Sequence, residues 1–278
     1  MLFADLSLAR RLEAADAALG ADFTEACGRL FPQNGAASIA LMGSRATFAG
    51  ADSPMTQVFA LGLDGPVTAD ELDQLEDFYH SRGAAVNIEL CPLADESLRS
   101  LLGERGYRVI EFSQVLVREL TAADADLKIS PAISVRQTEA ADARIYGEVM
   151  SRGFFEHGDV PQFMNEVSQC FTQLKMLTSF LAEADGQVAG CGGVGIHDEV
   201  ATFAGAATLP EYRNRGVQTA LMQARLAFAA ASGCRLAMVT TMPGTASYRN
   251  AARQGFQIVY TRCKLTLPKS EVGSRKSE

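Results

Sequence analysis

The chain has 278 residues, 47% of them hydrophobic and 21% charged, with a formal net charge of −8 and a pI of about 5.0. That composition supports a real core, and the length suits one large domain or two of ordinary size. The acidic balance argues against a broad surface for nucleic acid or anionic membrane, and no apolar run nears the roughly 20 residues of a membrane helix.

The start, Met1-Leu2-Phe3-Ala4-Asp5, lacks the charged-then-apolar order of a signal peptide. Cys27, Cys91, Cys170, Cys191, Cys234 and Cys263 stand singly, with no CxxC and no nearby histidine pair to ligate a metal. A reduced, cytoplasmic protein with no metal is the expectation.

After Ser81-Arg82-Gly83 comes an apolar run, Ala84 to Leu90, then Cys91-Pro92 and a polar helical segment from Ser97 to Arg105. Gly106-Tyr107 and an alternating run to Leu120 follow. Thr121 to Asp126 is small and acidic, and Ile129-Ser130-Pro131 completes a linker pattern. Ile133 to Arg136 alternates as a short strand, and Ala140–Met150 and Gln162–Leu177 have helical spacing. Ser179–Glu183 and Gln187–Ile196 read as strands joined by Ala184-Asp185-Gly186, a hairpin signal.

Val200 to Thr208 is a further strand, ended by Pro210. A helix runs from Val217, with Ala220, Leu221, Ala224 and Phe228 on one face, and stops at Gly233. Leu236 to Val239, Thr240-Thr241-Met242-Pro243, a helical Thr245–Gln254, Gly255-Phe256 and an alternating run to Leu267 then repeat the order seen after Gly83. The second half therefore reads βααβββαβαββ, an α/β chain with a mixed sheet. The expected division is 1–125 as a first unit, 126–132 as linker, 133–268 as a second unit and 269–278 as a polar tail.

Between Thr208 and Val217 lies Leu209-Pro210-Glu211-Tyr212-Arg213-Asn214-Arg215-Gly216. The first N–H groups of a helix have no partner within it, and with the positive end of the helix dipole they favour a phosphate. Gly216 has no Cβ to keep a ligand from the backbone, and Arg213 and Arg215 can add charge-assisted contacts.

From roughly Ile133 to Leu267 the chain resembles the GNAT superfamily of acyl-CoA-dependent N-acetyltransferases. Arg213-Asn214-Arg215-Gly216-Val217-Gln218 fits that family's (Gln/Arg)-x-x-Gly-x-(Gly/Ala), except that Gln218 replaces the small residue. Ser247-x-x-Asn250 with Gly255-Phe256 fits its helix before the last two strands. The first half looks like a degenerate copy, so the resemblance implies tandem GNAT-like domains.

It also implies acetyl-CoA or another acyl-CoA as cosubstrate, held by Arg213, Asn214, Arg215, Gly216, Val217 and Gln218. Ala207 and Thr208 would line the pantetheine slot opposite Thr240 and Thr241, with a backbone N–H near Thr208 on the thioester oxygen and Asn250 on the amide arm. The implied reaction is direct attack on the thioester by an amine, of a small molecule or a protein. The family's tyrosine, four residues before the glycine of Gly-Phe, is Ala251 here; Tyr248 lies one helical turn earlier and is the candidate acid. Glu156 and His157 fall in the acceptor loop as candidate bases, with His197 and Glu199 further candidates. Ala251 leaves open a non-catalytic acyl-CoA-binding or regulatory module. The acidic charge and the intact loop count against an aminoacyl transferase drawing on tRNA.

If the first half repeats the fold, its equivalent loop is Gly62 to Glu71. It carries no arginine, Asp64, Asp70 and Glu71 would repel a pyrophosphate, and Pro66 lacks an N–H. Only one half is expected to bind coenzyme.

Overall fold

A computed structural model describes residues 2–155 and 160–269. The first half comprises α1 (Leu6–Leu30), β1 (Ala37–Leu41), β2 (Ser44–Phe48), β3 (Gln57–Phe59), α2 (Ala69–His80), β4 (Val86–Leu90), α3 (Glu96–Glu104) and β5 (Arg108–Glu119). The second comprises β6 (Ile133–Gln137), α4 (Ala143–Phe154), α5 (Gln162–Phe171), β7 (Leu177–Ala184), β8 (Gln187–His197) and β9 (Val200–Thr208). It closes with α6 (Val217–Ala231), β10 (Leu236–Thr241), α7 (Ala246–Arg253) and β11 (Gln257–Leu267).

The expected hairpin is present between β7 and β8, with Asp185 and Gly186 at φ 52° and 73°. Positive φ at both central residues is what a primed turn requires. The helical spacing of Gln162–Leu177 overreaches: α5 stops at Phe171, and Leu177 already opens β7.

All strands join one mixed sheet in the order β1-β2-β3-β4-β11-β5-β10-β9-β8-β7-β6. The two-strand ending expected after each Gly-aromatic pair is instead one long strand in each half. Neither Arg108–Glu119 nor Gln257–Leu267 contains Gly, Pro or Asn, so nothing in either run turns the chain back into a hairpin. Each strand crosses into the other half. β5 pairs with β10 and β11 pairs with β4, both antiparallel, and β5 and β11 pair with each other along their length. The middle of the sheet is therefore built by exchange.

Successive residues of β5 face opposite sides. Val115 and Val117 pack with Leu8, Leu12 and Ala15 of α1, whereas Leu116 packs with the α6 and α7 residues Leu221, Leu226 and Ala251. α4 and α5 share the α1 side, where Phe23 meets Phe171 edge-on at 5.6 Å.

A buried ionic network fastens α1 to β11. Arg262 is 2% exposed and donates to Glu13 Oε1 at 2.7 Å, pairs with Asp16 at 2.8 Å, and the Tyr260 hydroxyl donates to Glu13 at 2.9 Å. Burial pushes the Glu13 and Asp16 carboxyls up, and the Arg262 cation opposes it.

Candidate functional site

β9 and β10 run parallel from Leu236↔Val200 to Val239↔Phe203, and there the pairing ends. Beyond it, among the described residues β9 pairs with β8 alone and Thr240 and Thr241 pair with β5 alone, so two strand edges face one another across an open wedge. The register of β8 and β9 shifts between Cys191 and Gly193, and Gly205 takes φ 60° at that irregularity. A bulge of this kind bends the strand away from its neighbour. Leu209 N–H donates to Ala189 O on the β8 side at 3.0 Å. Amides alternate along a strand, so Thr208 N–H points the other way, into the wedge.

The wedge leads to the start of α6. Gly216 is the cap residue at φ 85°, no side chain caps the first turn, and a Cβ on Gly216 would meet nothing within 4 Å. Asn214 also has positive φ, 61°, so the loop turns sharply before the helix. Ala220 N–H returns to Gly216 O at 3.0 Å. The amides of Val217, Gln218 and Thr219 precede that first helical bond and have no carbonyl one turn back to receive them. Such a turn is an anion cradle. Anions here need no side chain displaced.

The side chains around it are already engaged. Arg215 donates to Asp185 at 2.5 Å and its guanidinium lies 5.4 Å from the Tyr212 ring centre. Arg213 donates to Gly153 O at the end of α4, 3.3 Å away. Both cations thus brace the loop while keeping positive charge beside the helix start. Gln218, the residue that departs from the family pattern, donates from Nε2 to Thr208 Oγ1 at 2.7 Å and ties the first turn of α6 to the end of β9.

Of the other sequence candidates, Ala207 is buried and packs where a Cβ on Gly153 would come within 2.5 Å, so the end of α4 seals one side of β9. Thr240 is exposed on the wedge, and Thr241 is buried with its hydroxyl unpartnered. Asn250 and Tyr248 are half-buried on α7; Tyr248 packs against the core around α6, and Ala251 lies fully inside it. His197 and Glu199 lie at the paired base of β9, where Glu199 O receives Arg235 N–H at 2.8 Å. β9 spans nine residues, so they stand about 25 Å from Thr208. They do not join the wedge. Glu156 and His157 lie outside the described residues.

Two features escaped the sequence reading. Arg225, 1% exposed on α6, donates to Gly193 O at 3.3 Å and lies 4.7 Å from the Phe203 ring centre, fixing α6 behind the last paired residue of β9. Its burial pulls the guanidinium down to about 10. The second is a cleft of about 350 Å³ between the halves, walled by Phe23 and Cys27 of α1, the loop after β2, and Phe163, Glu166 and Cys170 of α5. Nothing local in sequence marks either, because both depend on elements distant in the chain.

Residues 147–256 match the model of the acetyltransferase (GNAT) family, and that part of the chain is a GNAT domain. No curated protein matches the chain by sequence. Among solved structures, a GCN5-related N-acetyltransferase from Kribbella flavida is similar at a TM-score of 0.66 and 16% identity, over 95% of this chain and 97% of that one. A tandem GNAT protein from the clavulanic acid biosynthesis pathway gives 0.58 and 12%, over 83% and 79%. A GCN5-related N-acetyltransferase from Sphaerobacter thermophilus gives 0.56 and 15%, over 91% of each chain. These are likenesses of fold, and the tandem match agrees with a first half that copies the second. Among the described residues no group of acids, histidines and cysteines could hold a metal, and no helix is long and apolar enough to cross a membrane.

Proposed function

We propose that the chain transfers an acyl group from an acyl-coenzyme A, acetyl-CoA first among them, directly to an amine. The observation that carries this is the uncapped start of α6 beside the open β9–β10 wedge. The amides of Val217 and its neighbours take the pyrophosphate, with Arg213 and Arg215 supplying charge nearby. Asn250 reaches the amide arm, and Thr208 N–H holds the thioester oxygen, a contact that strengthens as negative charge gathers there. Tyr248 is the acid for the departing thiolate, and Glu156 or His157 takes the proton of the amine. The residues 1–125 and 133–268, joined by 126–132, are the two units, and the first shapes the cleft through which the acceptor comes.

Acetyl-CoA titrated calorimetrically into the chain should saturate at one site, and thiol release over a panel of amines should then identify the acceptor. The double variant Arg213→Ala/Gly216→Trp should abolish binding with the fold intact; binding equal to the parent chain would overturn the assignment. A second reading has its own support: Ala251, buried in the core where the family has a tyrosine, suits an acyl-CoA-binding module without turnover. Tight binding with no thiol release on any amine would favour it.

A further inference from the structure

The cleft between the halves carries negative charge that no cation of its described wall answers. We propose that it binds an organic ammonium ion with a compact apolar body, an aryl-alkyl amine, and that it does so with or without coenzyme.

Phe163, Glu166, Val167 and Cys170 recur at helical spacing, so one face of α5 carries them. That face, with Phe23 and Cys27 of α1 and the loop from Ala49 to Ser53, encloses about 350 Å³. Small-molecule sites run from about 300 to 1,000 Å³, so the space suits a single ring on a short chain. Phe155 meets Phe163 edge-on at 6.3 Å and Phe171 meets Phe23 edge-on at 5.6 Å, which holds both wall rings in place. Phe171 in turn lies against Gly205, where a Cβ would come within 3.0 Å of its ring. The cleft is thus one aromatic layer from the bulge of β9 and apart from the turn that opens α6.

The polar part of the cleft is built around Glu166. Asn34 Nδ2 donates to its Oε2 at 2.8 Å, and Gln162 Nε2 donates to its Oε1 at 3.0 Å. One donor comes from each half, so the carboxylate is held in place at their junction. Both donors are neutral amides, which orient the carboxylate and leave its charge standing. Asp52 adds a second negative charge, and among the described residues lining the cleft there is no Lys, Arg or His. Arg29 of α1 is turned elsewhere, onto Gln173 O at 2.9 Å and Glu25 at 3.9 Å. A cleft lined by one sign of charge concentrates ions of the other. An ammonium head has donors only and meets the carboxylate with charge-assisted hydrogen bonds, while Phe23 and Phe163 take the apolar body. A ligand with a carboxylate or phosphate head meets repulsion.

The test uses the full chain, free of coenzyme, and phenethylamine as the probe. Titrated calorimetrically, the amine should saturate at one equivalent, with phenethyl alcohol at least about tenfold weaker and phenylacetate not bound. Glu166→Gln keeps the size of the side chain and should weaken the amine about tenfold, while Glu25→Gln, outside the cleft wall, should not move it. Arg213→Ala/Gly216→Trp, expected to lose coenzyme, should bind the amine like the parent chain, so loss of one ligand leaves the other in place. The amine and the alcohol are compared on the parent chain, which decides the matter even if Glu166→Gln folds poorly. An amine that does not saturate, an alcohol that binds as well, or undiminished affinity in a folded Glu166→Gln would each overturn the site.

Discussion

α2 and α6 hold corresponding places in the two halves, each following a strand with a parallel neighbour, and their first turns are finished in different ways. At α2, Thr68 Oγ1 accepts from Glu71 N–H and Glu71 Oε2 accepts from Thr68 N–H at 2.9 Å, a closed capping box with Asp70 beside it. At α6, Gly216 offers no side chain and the turn stays open. β3 and β4 keep a single parallel pair, Val58↔Ile88, because β3 is only 3 residues long. The first turn of α2 has one amide fewer to spare, since Thr68 Oγ1 takes Glu71 N–H, and it carries the acids Asp70 and Glu71, whereas no side chain caps α6.

That comparison can be broken at several points. The largest effect is expected where the halves are fastened together. Arg262→Met leaves Glu13 and Asp16 buried without their cation and should cost about 3–5 kcal/mol in urea unfolding. Both carboxyls sit above their ordinary range, so the folded state holds protons that the unfolded state has released. The stability they contribute is present below the ordinary carboxylate range and is lost as pH rises through their folded values. The deficit of the variant should therefore shrink as pH falls toward about 4; a deficit that grows would show the network is not what was removed.

Next comes Gly216→Asp, which sets a carboxylate at the open first turn of α6. Coenzyme affinity should fall about a hundredfold by calorimetry, with about 1–2 kcal/mol of strain from the left-handed backbone. Undiminished affinity would mean the cap is not the deciding difference. Thr68→Ala should cost about 1 kcal/mol in thermal unfolding and leave coenzyme stoichiometry at one per chain. A second bound equivalent in that variant would show that the cap alone had kept the first half empty. The smallest change belongs to Gln218→Ala, which removes the tie to Thr208 and should move the KM for acyl-CoA by about threefold or less.

Much of the second half was legible in the sequence because its signals are local. Asp185-Gly186 marked a hairpin, Val217 to Phe228 marked a helix face, and Arg213 to Gly216 marked the turn between them. The first half's anion-hostile loop was legible too, since Asp70 and Glu71 sit where first-turn acids belong. Strand partners were not. Nothing in Arg108–Glu119 says that its neighbours will be β10 and β11, because pairing depends on residues more than a hundred positions away. The same distance hid Arg262 on Glu13. The side-chain engagements of Arg213 and Arg215 were equally invisible, as they depend on Gly153 and Asp185 across the loop.

The exchange of β5 and β11 also sets a timetable. During synthesis β5 emerges before either of its neighbours, β10 and β11, which come last of all, and β4 likewise waits for β11 on one edge. The middle of the sheet cannot zip until nearly the whole described chain is available, which predicts slow, late and highly cooperative folding for so non-local a pairing. It also makes the loss of the first half hard to inherit. A chain relieved of its first half would expose the edges of β10 and β11 together, so each half completes the sheet of the other.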